Sequence, residues 1–461
     1  MKLRLPASCL PLLLGACSLA PDYVRPEAPV PPEWPQGEAY LPQQDAALPA
    51  VSHAEIFTDA RLQRLIAIAL ENNRDRRRAA ANIAAARAQL RVTQAGQLPQ
   101  IGVGASAEVR DEGGSGRESY ALQGGIAGFE LDLFGKFASA TEAERENLLA
   151  TEAGAETVRI GLVADLASAW ITYAADRDLL AIAQETAANA GKSLELTQLR
   201  LKGGIAPRTD VRQAEQVLAA AEGDLAEQKA ALAQDENLIR LLAGASFDSG
   251  LLPAGLADVG NSIATLAAGT RSDVLLRRPD VMQAEHLLRA ANADIGVARA
   301  RLFPSISLTG LLGFASDALG TLFDDASFGA SAGADASYAI FGGGRRAGVA
   351  VSEAQRDAAL AAYEKAIQQA FREVADALAT QGTIADRLRA AQRNSEAAAD
   401  AAMLTDARYR GGVESFLANL VAQRSLYTAR RAETAIQRAA LLNRVELYRT
   451  LGGDASLAGG P

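Results

Sequence analysis

The sequence predicts an α+β membrane protein built from two copies of one unit, each a helix, a pair of strands and then a helical hairpin. Three observations predict it. The chain repeats itself at an offset of 205 to 208 residues, residues 139–201 and 345–408 contain no proline, and residues 328–341 alternate apolar with small or polar side chains. Repeats of this length fix the architecture before any single motif does.

Bulk composition excludes several functions. The 461 residues carry a formal net charge of -9, so the overall field repels nucleic acid and other polyanions. Nucleic acid is not an expected partner. The run Arg74-Asp75-Arg76-Arg77-Arg78 is a local exception, interrupted by an acid and opening a helical pattern, which reads as a solvated helix face. The two cysteines, Cys9 and Cys17, both precede the body of the chain and cannot staple it. The two histidines, His53 and His286, have no Cys or His at ligand spacing, so no metal site is expected. No cofactor is expected either. HExxH, Walker and CxxC patterns are absent, and Gly342-Gly343-Gly344-Arg345-Arg346 lacks the Lys-Ser/Thr of a phosphate loop. The chain reads as not an enzyme.

From the N-terminus, Lys2 and Arg4 precede an apolar stretch from Leu5 to Leu14, too short to span a bilayer and of secretory length. Residues 1–16 therefore read as a signal peptide. Leu14-Gly15-Ala16-Cys17 resembles the lipobox cut by the bacterial lipoprotein signal peptidase, which makes Cys17 the acylated N-terminus. At about 0.8 kcal/mol per buried CH₂, more than one acyl tail gives a stable anchor. Residues 17–55 form a proline-rich, lipid-anchored extension expected to run extended over a surface.

The first repeat occupies 56–245, a connector 246–270, the second repeat 271–453 and a tail 454–461. Arg74-Asp75 and Pro279-Asp280 stand at equivalent places, as do Leu98-Pro99-Gln100-Ile101 and Phe303-Pro304-Ser305-Ile306. Leu133-Phe134-Gly135 matches Ile340-Phe341-Gly342, and Arg200-Leu201-Lys202-Gly203-Gly204-Ile205 matches Arg408-Tyr409-Arg410-Gly411-Gly412-Val413. The proline-free stretches are rich in Ala, Leu, Glu, Arg and Gln, which favour helix. At 1.5 Å per residue each is on the order of 90 to 100 Å long. The glycine pairs supply the backbone geometry that ends one helix and turns into the next, predicting hairpins over 139–242 and 345–450.

Strands are expected at about 98–134 and 302–342. Phe328, Ala330, Ala332, Ala334, Ala336, Tyr338 and Ile340 fall on one face, with Gly329, Ser331, Gly333, Asp335 and Ser337 on the other. That pattern suits a membrane strand with lipid on one side and water on the other. The segments 313–325 and 111–116 are polar and turn-rich, as extracellular loops are. Four strands cannot close a barrel, whose smallest single-chain form has about eight, and an open edge in lipid leaves backbone groups unsatisfied. The chain must therefore oligomerise if these strands cross a membrane.

Several motifs carry a family resemblance over nearly the whole mature chain. They are Cys17 with Pro21-Asp22-Tyr23-Val24-Arg25-Pro26, Phe129-Glu130-Leu131-Asp132-Leu133-Phe134-Gly135, Arg277-Arg278-Pro279-Asp280-Val281, and Leu447-Tyr448-Arg449-Thr450-Leu451-Gly452-Gly453. The chain resembles the lipoprotein, or NodT, branch of the TolC/OprM outer-membrane efflux family. The resemblance implies a homotrimer with a twelve-stranded β-barrel continued by an α-helical barrel. It implies an exit duct for small molecules in the outer membrane, working with a periplasmic adaptor and an inner-membrane resistance-nodulation-division pump. It also implies a periplasmic gate at the hairpin tips, with Asp210, Arg208, Tyr409, Arg410 and Glu414 as its candidates. Here Glu414 stands where some relatives carry a base, and Ala418 and Val421 where others carry acids, so the gate of those relatives does not transfer whole.

Three other readings fit fewer observations. A type I secretion channel shares the architecture. A periplasmic adaptor has one hairpin rather than two, and a structural coiled-coil lipoprotein leaves the duplicated strands unexplained.

Overall fold

The computed structural model describes residues 19–41, 52–111, 116–264, 271–341 and 343–453. The expected signal peptide over residues 1–16, Cys17 and the tail 454–461 lie outside the described residues. Between them run α1 (His53–Ile56), α2 (Ala60–Asn72), α3 (Arg74–Ala95), β1 (Ile101–Asp111), β2 (Gly116–Glu130), α4 (Lys136–Lys202) and α5 (Arg208–Ala243). The second half follows with α6 (Leu256–Val259), α7 (Pro279–Ala300), β3 (Ser305–Ser316), β4 (Phe328–Ser337), α8 (Arg345–Arg410) and α9 (Phe416–Thr450). Two compact units result, and each draws on both repeats: one comprises residues 1–27, 81–152 and 283–365, the other 28–80, 153–282 and 366–461.

The first unit contains the sheet. Its order is β1-β2-β3-β4, antiparallel throughout, so the pairing of β2 with β3 joins the repeats. Two expectations are corrected here. The loop placed at 313–325 begins later, because Gly313 lies in β3 between Gln123 and Gly329. A Cβ on Gly313 would stand 2.1 Å from the Leu122 carbonyl oxygen, so this glycine is there for close strand approach rather than for a turn. The strand placed at 328–341 ends at Ser337, because its partner begins at Ser305 and offers nothing beyond. The Phe129–Gly135 motif makes the turn from β2 into α4. Asp132 accepts a hydrogen bond from the Ala138 amide at 2.8 Å, Gly135 takes φ 71°, and Phe134 stacks on Phe303 at 4.5 Å.

The extension is docked against α7 in the same unit. Glu285 receives Arg25 through two hydrogen bonds of 2.9 and 2.6 Å, Arg289 at 2.7 Å and the Tyr23 hydroxyl at 3.2 Å. Burial opposes the Glu285 charge, but the two guanidiniums outweigh it and hold the carboxyl below its ordinary range. Asn292 donates to the Pro21 carbonyl and Arg299 to that of Leu19. Gly296 leaves room for the chain, since a Cβ there would meet the Ala20 amide nitrogen at 2.9 Å.

The second unit packs around Trp170, Phe57, Tyr448, Leu62, Leu65 and Ile66, all fully buried. Trp170 donates its indole N–H to the Leu251 carbonyl at 3.0 Å, and Phe57 meets Tyr448 edge-on at 5.1 Å. The repeat is visible as shared chemistry. Asn73 donates to the Leu242 carbonyl at the end of α5, and Arg278, 205 positions later, donates to that of Thr450 at the end of α9. Arg278 also forks onto Asp280 and reaches Glu373 at 2.8 Å, so the Arg278-Pro279-Asp280 motif is a buried clamp. The basic run caps α2: Arg74 and Arg76 donate to the carbonyls of Asn72 and Leu70, and Arg78 pairs with Asp75.

Long helix α4 contains a stretch apolar enough in length and composition to cross a membrane, but 67% of that stretch is buried within the fold. The sheet exposes large apolar side chains at Ile101, Val103, Val109, Leu308, Leu312 and Phe328.

Candidate functional site: the two-faced sheet and the hairpin tips

Directly opposed residues of antiparallel strands point to the same side, so the register assigns the faces of the sheet. Val103 opposes Gly124, Gly124 opposes Leu312 and Leu312 opposes Ala330; the next rows read Ala105, Leu122, Phe314 and Phe328. Toward the other end Ile101 and Ile126 meet Gly310 and Ala332, and Phe129 meets Leu308 and Ala334. These rows are apolar across all four strands, and only beyond them do Glu118, opposite Val109, and Ser316, opposite Tyr120, join that face. The other carries Ser106, Glu108, Arg110, Gln123, Ser307, Thr309, Ser331 and Asp335. A one-residue bulge between Ile126 and Phe129, with Gly128 at φ 71°, keeps the faces in phase. Phe314, Phe323 and Phe328 cluster edge-on at the far end, while Tyr338 and Phe341 lie exposed at the near end. Val103, Leu312 and every residue of β4 are exposed, and β1 and β4 each have one unpaired edge. The apolar face suits lipid, but the two raw edges cannot stand in it unpaired.

At the hairpin tips in the other unit, Gly204 and Gly412 take φ 74° and 77°, which lets α4 turn into α5 and α8 into α9. Ser415 caps α9 by accepting from the Ala418 amide at 3.1 Å. Tyr409 is buried, packed against Phe416 at 5.8 Å, with its hydroxyl 3.3 Å from that of Thr197. Arg200 lies over the Tyr409 ring at 4.3 Å and donates to the carbonyls of Tyr409 and Arg410 at 2.8 and 3.2 Å. Arg408 pairs with Glu414 at 3.3 Å, and Arg410 with Asp406 at 2.8 Å. Asp210 sits in the first turn of α5, where the helix dipole favours its charge; neither it nor Arg208 bonds a side chain of the described residues.

The structure therefore brings Tyr409 onto the first hairpin and pairs Arg410 with Asp406 and Glu414 with Arg408 within the second, leaving Arg208 exposed and Asp210 half-exposed on α5. Thr197, Arg200 and Asp406 were missed by sequence reasoning. For Arg200 a signal existed, since it is the repeat equivalent of Arg408. Between the hairpins runs a cavity of about 1020 Å³, polar at Asn189, Lys192, Gln213, Asp224 and Arg424.

These features have counterparts in known proteins. Residues 65–245 and 270–453 match the Outer membrane efflux protein family. The chain is 39% identical over 452 residues to the probable efflux pump outer membrane protein TtgC of Pseudomonas putida, covering 96% of this chain and 93% of that one. It is 36% identical over 450 residues to the cation efflux system protein CusC of Escherichia coli O157:H7, covering 96% and 97%. The crystal structure of the open state of the Neisseria gonorrhoeae MtrE outer membrane channel matches with a TM-score of 0.83 and 32% identity, over 95% of this chain and 99% of that one. With the family matched across both repeats and the relatives matched almost end to end, the chain belongs to the outer membrane efflux protein family and is an outer-membrane efflux channel.

Proposed function

We propose that three copies close their sheets edge to edge, β4 of one against β1 of the next, into a twelve-stranded barrel continued by the long helices as a tunnel. The observation that carries this is the four-stranded sheet with one continuous apolar face and two unpaired edges, which closure alone satisfies in a bilayer. Solutes pass through unchanged, without a catalysed step. The duct serves a tripartite system with a periplasmic adaptor and a resistance-nodulation-division pump, and its cargo is small molecules such as drugs. Relatives named for toluene and for cations share this architecture, so the pump rather than the duct sets the cargo. Single cysteines test the strand faces: Ala332→Cys and Ala334→Cys should be shielded from a membrane-impermeant thiol reagent, and Ser331→Cys and Ser337→Cys labelled. Equal labelling at all four positions would remove the barrel from this reading.

The lipid anchor belongs to the same proposal. Its support is the Leu14-Gly15-Ala16-Cys17 sequence, with the extension that follows held to α7 through the Leu19 carbonyl on Arg299. Cys17→Ala should lose incorporation of radioactive palmitate; a wild-type protein that takes up no label refutes the anchor. At the tips, Asp210, Arg208, Tyr409, Arg410 and Glu414 form the polar ring that holds the resting duct shut. Its support is the burial of Tyr409 between the hairpins and the exposure of Arg208 on α5 for a neighbouring copy.

A further inference from the structure

Residues 317–327 join β3 to β4 at the far end of the sheet, in the stretch expected to be a polar extracellular loop. Two side chains do not fit a turn standing free in water. Leu319 is 63% and Phe323 68% exposed, while Leu322 beside them is buried. Phe323 meets Phe314 edge-on at 5.6 Å, and Phe314 meets Phe328 at 5.5 Å. Phe314 stands in the apolar row with Ala105, Leu122 and Phe328, so the loop folds back onto that face of the sheet. The turn is also closed on itself. The Ser316 and Thr321 hydroxyls lie 2.6 Å apart, and the Thr321 amide and hydroxyl both donate to the Ala318 carbonyl at 3.2 Å. Ser327 donates its amide to the Asp324 carbonyl at 2.9 Å and its hydroxyl to the Thr321 carbonyl at 2.7 Å. Polar groups paired within the loop do not need water, which lets the apolar side chains beside them leave it.

Water, a neighbouring copy and lipid compete to cover Leu319 and Phe323. Strands lie about 4.8 Å apart, so a copy paired with β4 begins two spacings, about 10 Å, from the β3 strand on which Phe323 rests. Lipid fits better, because the apolar face ends at this level. One row farther out Ser316 opposes Tyr120, whose hydroxyl donates to Glu118 at 3.1 Å, and Glu118 opposes Val109. Phe314, Phe323 and Phe328 thus mark the last apolar level before polar residues begin, where membrane barrels carry an aromatic girdle. Asp317, Asp324 and Asp325 are exposed around the loop and oppose any deeper entry.

We propose that the β3–β4 loop is a membrane-seated anchor. Leu319 and Phe323 enter the acyl chains of the outer leaflet and extend the apolar face of the sheet, while Asp317, Asp324 and Asp325 stay among the headgroups. The loop thereby fixes the height of the channel in the bilayer. This rests on the reading of the strands as a membrane barrel.

The test uses the full-length protein in phosphatidylcholine vesicles, with one nitroxide label at a time on Leu319→Cys, Phe323→Cys, Asp325→Cys and Ala334→Cys. Labelled wild type is subtracted to remove any signal from Cys17. The ratio of oxygen to nickel-complex collision rates should be several-fold higher at Leu319, Phe323 and Ala334 than at Asp325. Ratios at Leu319 and Phe323 equal to that at Asp325 overturn the anchor. Ala334 then separates its failure from that of the barrel, since a lipid-like ratio there keeps the strand in the membrane and a water-like one removes both. Low rates with both reagents at Leu319 and Phe323 overturn the anchor in favour of a neighbouring copy. Phe323→Trp, which keeps an aromatic ring on Phe314, gives a second measurement should the cysteine variants fail to fold. Its added fluorescence should be largely quenched in vesicles of brominated phosphatidylcholine and little by aqueous acrylamide, against the baseline of the buried Trp34 and Trp170. Quenching by acrylamide and not by the brominated lipid overturns the anchor.

Discussion

Valine in place of Gly313 should abolish trimer assembly. A Cβ at this position would stand 2.1 Å from the Leu122 carbonyl oxygen and 2.7 Å from the Gln123 Cα. Both are backbone atoms of the neighbouring strand, so no side chain can rotate aside. The β2–β3 ladder that joins the repeats must then separate locally, and each backbone group left unpaired in lipid costs several kcal/mol. Heat-modifiable trimer on gels should fall by at least about tenfold, since about 1.4 kcal/mol already gives that factor. Gly329→Ala is the control, because a Cβ there meets nothing within 4 Å. Wild-type amounts of trimer from Gly313→Val would show that the two repeats are not joined in this register.

The second large effect is expected at the tips. Tyr409→Phe combined with Arg410→Ser removes the contact with the Thr197 hydroxyl and the 2.8 Å pair with Asp406. A hydrogen bond contributes about 0.5 to 1.5 kcal/mol and an exposed ion pair about 0 to 1. Over three copies the open–closed equilibrium should shift by at least about tenfold. Single-channel conductance should rise, and cells should become sensitive to antibiotics as large as vancomycin. Arg200→Ser should act in the same direction, because its guanidinium holds two carbonyls at the end of α8 and covers the Tyr409 ring. Unchanged conductance from properly assembled trimers of both variants would remove these residues from the gate.

The motifs behind the family resemblance divide into distinct physical roles. Phe129–Gly135 turns a strand into a helix, and Arg278-Pro279-Asp280 clamps α8 and the end of α9. Tyr23 and Arg25 fasten the extension to Glu285. These are the places where distant segments must meet with buried polar groups satisfied, which explains why they stand out in a chain otherwise dominated by alanine and leucine.

By itself the sequence determined the repeat, the long helices and the faces of the strands. Lys136–Lys202 and Arg345–Arg410 differ from the proline-free stretches by at most three residues at any end, because helix propensity, glycine turns and the absence of proline are local properties. The alternation along β4 is likewise local and fixes which residues share a side. Only the tertiary structure decided that Gly313 belongs to a strand, since the reason is a carbonyl of Leu122, some 190 positions away. It alone placed Tyr409 on Thr197 and Arg200. Those contacts join helices far apart in the chain, and which side chains meet depends on how the hairpins pack, which spacing along one helix does not encode.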